Sequence, residues 1–171
     1  VQSLRPDPIM RQLVLLRHAK AVPAGDGDDD FARALADSGR TDAALVARAL
    51  AEAGAAPTIA LVSDARRTRE TWDMAQPSFP KTEVRFLRSL YLCAAEILMA
   101  EAERTAAANV LVVAHNPGVH ELASRLAQRP TDLDLRLRAK FPTAAGAIFN
   151  RKSDDAAWRL GTYVTPKELR G

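Results

Sequence analysis

Short apolar runs alternate with amphipathic stretches along this chain, and polar or Gly/Pro-containing breaks separate them. Residues 12–16 (QLVLL), 58–62 (TIALV), 83–87 and 110–114 (VLVVA) have the length and apolar character of strands. The last is uniformly apolar, as a parallel strand covered on both faces must be. Helical patterns occupy residues 38–53, 64–75, 94–107 and 117–127. Ser38 is the expected N-cap of the first, and Gly54 lies just past its end. Residues 22–37 read as a loop rich in Gly, Pro and Asp, broken by Phe31. Two later strands, 144–150 and 158–165, flank the polar turn 151–155. The chain shows no internal repeat.

This alternation predicts a three-layer α/β sandwich, a mostly parallel sheet with helices on both faces. The final strand pair is expected to add an antiparallel member. Ligands of such sheets bind outside the carboxyl ends of the strands. Three of those ends carry cationic or imidazole side chains: Arg17-His18, Ser63-Asp64-Ala65-Arg66-Arg67 and His115-Asn116-Pro117-Gly118. Parallel strands would bring all three to one edge as an electropositive pocket.

Each block has a plainer reading when taken alone. An Arg-His pair after a strand is ordinarily a solvated loop start, and Arg66, Arg67 and Arg69 could line an outer helix face. Helical periodicity separates the arginines. Arg66, Arg69, Glu70 and Asp73 share one face, with Arg66–Glu70 and Arg69–Asp73 as i,i+4 pairs. Arg67 falls off that face and is expected to turn inward. His115 follows a buried strand, with Asn116 expected as an N-cap and Pro117 at the first helical position. His120 flanks the apolar stripe Val119, Leu122, Ala123 and Leu126, which makes it structural or superficial.

Length and composition narrow the function classes. The 171 residues suit one domain, expected over 10–171 after an N-terminal extension at 1–9. No secretory signal and no membrane-spanning run is found, so a cytoplasmic protein without a membrane partner is expected. The lone Cys93 excludes an intrachain disulfide and a Cys-based zinc site, and it is expected to be a small buried hydrophobe. The net charge of +3 suits phosphate-bearing substrates, whereas dispersed basic residues and 5% aromatics argue against nucleic acid. No Asp/Glu/His cluster has metal-ligand spacing, so neither a metal nor another cofactor is expected. A monomer is favoured.

The three strand-end blocks, in this order, resemble the histidine phosphatase superfamily of phosphoglycerate mutase-like fold. The resemblance covers roughly residues 13–127 and, more weakly, the tail to Leu169. Arg17-His18-Ala19 is similar to the family's Arg-His-Gly. Ser63, Arg67 and Thr71 are similar to its Ser-x-x-x-Arg-x-x-x-Thr, and Ala114-His115 to its Gly-His or Ala-His. Short length, Arg17-His18-Ala19-Lys20-Ala21, His115-Asn116-Pro117-Gly118, Leu90-Tyr91 and Thr165-Pro166 look most like the SixA-type phosphohistidine phosphatases. Ala19 departs from the common Gly and Asp64 from a common Pro.

The resemblance implies that His18 is the nucleophile, forming a phosphohistidine intermediate. Arg17, Arg67 and His115 would bind the phosphoryl oxygens, with Asn116 beside them. The general acid has no obvious owner: Glu96 and the loop residues Asp26, Asp28, Asp29 and Asp30 are the candidates. A site without a strong acid favours a P–N over a P–O leaving group, because an imidazole is readily protonated near neutral pH. The expected substrate is therefore a phosphohistidine protein. The alternatives are a small phosphorylated metabolite or a non-catalytic phosphoprotein-binding module. Lys20, Arg33 and Lys140 receive no role.

Overall fold

The computed structural model describes residues 9–171; the expected extension, apart from Ile9, lies outside them. Six strands form one sheet: β1 (Gln12–Arg17), β2 (Ile59–Ser63), β3 (Glu83–Leu87), β4 (Asn109–Ala114), β5 (Gly146–Asn150) and β6 (Arg159–Val164). Their order is β3-β2-β4-β1-β5-β6. The first four pair in parallel, and β5 is antiparallel to both β1 and β6. Strand β6 therefore runs in the same sense as β1, and its carboxyl end shares an edge with those of β1, β2 and β4.

The period of two along each strand divides the core. Leu13, Leu15, Leu61, Val110 and Val112 face α3 (Ala95–Arg104), α4 (Gly118–Leu126) and α5 (Asp132–Ala139). Val14, Leu16, Val62, Leu111 and Val113 face α1 (Asp37–Glu52) and α2 (Arg66–Ala75). A short α6 (Pro166–Arg170) packs on α1. This is the expected three-layer sandwich, with β5 as its antiparallel member. Among the described residues no helix is long and apolar enough to cross a membrane.

Several boundaries differ from the sequence pattern for local reasons. Helix α1 begins at Asp37, with Ala36 rather than Ser38 at the cap position and no side-chain cap bond. Its start is tied down by tertiary contact instead: Ala36 N donates to the Lys20 carbonyl at 2.9 Å. Helix α4 begins at Gly118, and Asn116 does not cap it. The Asn116 side chain instead donates to the Phe141 carbonyl at 2.9 Å, a long-range partner that outcompetes the local one. Arg66 does pair with Glu70, at 3.6 Å, but Arg69 pairs with Asp64 rather than Asp73. Helices α5 and α6 have no counterpart in the predicted elements.

Candidate active site

Strands β1 and β2 both lie parallel to β4, so the residues that follow them leave the sheet at one edge. The rings of His18 and His115 meet there with centroids 5.3 Å apart. His18 is clamped through its backbone, its N–H donating to Ala114 O at 3.0 Å and its carbonyl accepting from Ala144 N at 2.9 Å. Its Nδ1 lies 2.8 Å from the Ala19 carbonyl. A carbonyl only accepts, so Nδ1 carries the proton and Nε2 presents a bare lone pair. Ala19 is fixed in turn, its N–H donating to Thr71 Oγ1 at 3.0 Å. Burial lowers the His18 pKa to about 4, opposed by the Ala19 carbonyl and assisted by Arg67, Arg17 and Arg33. The imidazole is therefore neutral at ordinary pH.

His115 is 2% exposed, and its Nε2 lies 2.8 Å from Ser63 Oγ. Its Nδ1 has no partner among the described residues. Burial first, then His18 and Arg67, lower its pKa to about 3. Arg67 turns inward as its helical position implied and is only 4% exposed. Arg17 Nη1 donates to the Phe141 carbonyl at 3.1 Å, the same oxygen that holds Asn116. Asn116 thus reaches the site as a brace on Phe141. The structure brings His18, Arg17, Arg67, His115 and Asn116 together. It leaves His120 outside, bonded through Nε2 to the carbonyls of Leu137 and Arg138.

A carboxylate already occupies part of this cationic cluster. Asp30, in a short 3-10 turn at Asp30–Ala32, accepts from Arg67 twice: Nη1 at 2.8 Å to its carbonyl and Nη2 at 3.1 Å to Oδ2. The Tyr91 hydroxyl also donates to Oδ2. That bond, together with Arg67 and Arg33, holds the Asp30 carboxyl below its usual range despite desolvation. Asp30 is thus an ionised counter-ion. The other acid candidates stand elsewhere. Asp28 and Asp29 bond the loop backbone at Gly25 and Phe31, and Glu96 is exposed and paired with Arg125.

Tyr91 and the partner role of Ser63 were not among the predicted site functions. Tyr91 packs edge-on against His115 (5.4 Å) and Phe31 (5.0 Å). A signal for it existed: β3 is parallel to β2, so the loop after β3 emerges at the same edge. Arg33, left without a role, reaches Asp30 at 3.4 Å. Among the described residues no group of His, Cys, Asp and Glu is arranged to hold a metal ion.

No family model matches the chain. An uncharacterized chloroplast protein of Arabidopsis thaliana is 34% identical over 173 residues, spanning 92% of this chain and 79% of that one. Two solved structures are similar throughout. One is a candidate phosphohistidine phosphatase SixA from Agrobacterium tumefaciens (TM-score 0.81, 28% identity, 92% of this chain and 99% of that one). The other is a candidate phosphohistidine phosphatase SixA from Nakamurella multipartitia (TM-score 0.79, 26% identity, 94% of this chain and 99% of that one).

Proposed function

Because the chain belongs to the histidine phosphatase superfamily and stands with its SixA-type members, we propose that it is a metal-independent phosphatase acting on phosphohistidine in proteins. The observation that carries this reading is the state of His18: Nδ1 bonded to the Ala19 carbonyl, a pKa near 4, and Nε2 bare beside Arg17, Arg67 and His115. Nε2 attacks phosphorus, and the P–N bond of the substrate breaks as the N–P bond to His18 forms. The departing imidazole keeps the bonding pair and takes a proton from solvent at its free nitrogen. Water then attacks the phosphorus carried by His18 and loses a proton to solvent; the P–Nε2 bond breaks with its pair returning to Nε2, and inorganic phosphate leaves. Splitting the transfer in this way replaces one hard step with two easier ones.

Arg17 and Arg67 supply planar donors to the equatorial oxygens, and their charge stabilises the phosphoryl group as it passes. We assign the Ser63 hydroxyl as donor to His115 Nε2, the tautomer that puts the proton on the unpartnered Nδ1 and makes Nδ1–H a third donor to the phosphoryl group. Asp30 must yield Arg67 to the incoming phosphoryl group, since both claim the same Nη atoms.

The choice of substrate rests on acid–base balance. Asp30 is held ionised, and the pKa of the Tyr91 hydroxyl is raised by burial and by Asp30. Neither is a ready proton donor for an alkoxide, whereas an imidazole is protonated from solvent near neutral pH. The test compares kcat/KM on a phosphohistidine protein with that on a sugar or alkyl phosphate. The reading expects the first to exceed the second by about a hundredfold or more, the scale of general acid catalysis. Equal values would overturn it in favour of a small-metabolite phosphatase. Binding without turnover of either would favour a binding module.

A further inference from the structure

Beyond the nucleophile, the same edge of the sheet carries a basic cleft that phosphoryl transfer does not use. It encloses about 450 Å³, and its lining includes Lys20, Arg136, Lys140, Thr143, Lys167 and Arg170. Two carboxylates, Asp42 and Glu168, also line it, and both are spent: Arg170 pairs with Asp42 and Arg136 with Glu168. Among the described residues Lys20, Lys140 and Lys167 make no ion pair and donate no side-chain hydrogen bond. All three are exposed. The charge left over is therefore three ammonium groups facing one concave surface.

The cleft is joined to the active site through backbone. Lys20 lies two residues beyond His18. Lys140 and Thr143 flank Phe141, whose carbonyl accepts from Arg17, and Ala144 N donates to the His18 carbonyl. Phe141 and Ala144 thus hold the active site through their backbone, while Lys140, Pro142 and Thr143 between and beside them line the cleft. Lys167 arrives from the end of β6, which runs in the same sense as β1.

We infer that this cleft docks an acidic stretch of the substrate protein adjacent to its phosphorylated histidine. Ammonium groups are flexible point charges, suited to several carboxylates in variable register rather than to one planar anion. A nucleic-acid strand fits less well, because base stacking needs open aromatic faces. The aromatic ring of the lining, Tyr163, is 6% exposed with its hydroxyl committed to the Lys140 carbonyl. Rim charges of this kind act on encounter and weaken with salt.

The inference rests on the protein-substrate reading above, so its test includes a measurement that needs no turnover. A fluorescent, unphosphorylated peptide rich in Asp and Glu is titrated with the wild type and with Lys140→Glu/Lys167→Glu, at low and at physiological salt. The peptide binds the wild type, and both the double variant and added salt weaken binding by about tenfold. With a phosphohistidine protein the variant raises KM by a similar factor at unchanged kcat, and KM for free phosphoramidate stays constant. Peptide binding that ignores the substitutions overturns the cleft. So does a KM that rises equally for both substrates, or an oligonucleotide that displaces the peptide at lower concentration. If the peptide binds as described but no phosphohistidine protein is hydrolysed, the cleft stands and the substrate reading fails.

Discussion

The His115 ring is oriented by one hydroxyl, and the His18 ring by one carbonyl. Ser63→Ala removes the 2.8 Å partner of His115 Nε2 and frees the ring to present the wrong nitrogen. We predict a loss of about tenfold in kcat with little change in melting temperature, measured on phosphoramidate. Asp30 makes a different prediction. It competes with phosphate for Arg67, so Asp30→Asn should lower the inhibition constant of inorganic phosphate several-fold; an unchanged or higher constant would mean that the carboxylate does not occupy the anion site. The acid limb of kcat/KM should follow His18: protonation removes the Nε2 lone pair, so activity rises with pH through about 4 and is level above about 5 on that limb. A midpoint near the ordinary histidine value of about 6.5 would contradict the burial argument. Stability carries the same signature with the opposite partner. Unfolded histidines bind protons below about 6.5, whereas buried His18 and His115 resist until about 4 and about 3. The unfolded state therefore binds more protons in that window, and the melting temperature should fall as pH is lowered through it.

Among the elements, helix α4 sets the position of His115 through a contact that permits no side chain. A Cβ on Gly118 would stand 2.3 Å from the Cys93 carbonyl, a backbone atom that cannot swing away. Gly118→Ala should cost roughly 1–3 kcal/mol, read by denaturant unfolding, and should lower kcat by moving the loop that carries Tyr91. The sequence pattern made the strands of the sheet and helices α1 to α4 legible, because their apolar periods are strong. It did not reveal α5. Residues 132–139 (DLDLRLRA) alternate polar and apolar at period two, which is not a helical signature. The helix is held by its start instead: Thr131 caps it, accepting from Asp134 N at 3.1 Å, and Leu137 is fully buried. The cap position of Asn116 failed for the converse reason. Its residue type suits a cap, but the Phe141 carbonyl, 25 residues away, lies within reach.

For the whole molecule, the parallel order β3-β2-β4-β1 does most to assemble the site. It brings four strand ends to one edge, and three of them carry the residues singled out from sequence. His18, Arg17, Arg67 and His115 were legible because each follows an apolar run or falls off a charged helix face. Asp30 was visible only as one of four loop acids, and its selection depends on the fold of residues 22–36 across α2. That strap is tied by Leu35 N donating to Glu70 at 2.8 Å, a pairing no local pattern encodes. Tyr91 and the basic cleft likewise arise from elements distant in sequence. The central claim, that His18 becomes phosphorylated during turnover, is tested most directly by rapid acid-free denaturation after mixing the protein with a ³²P-labelled phosphohistidine protein. The account predicts an acid-labile, alkali-stable label on the wild-type chain that His18→Ala abolishes together with phosphate release. Label retained by His18→Ala, or phosphate release that survives the substitution, would contradict it.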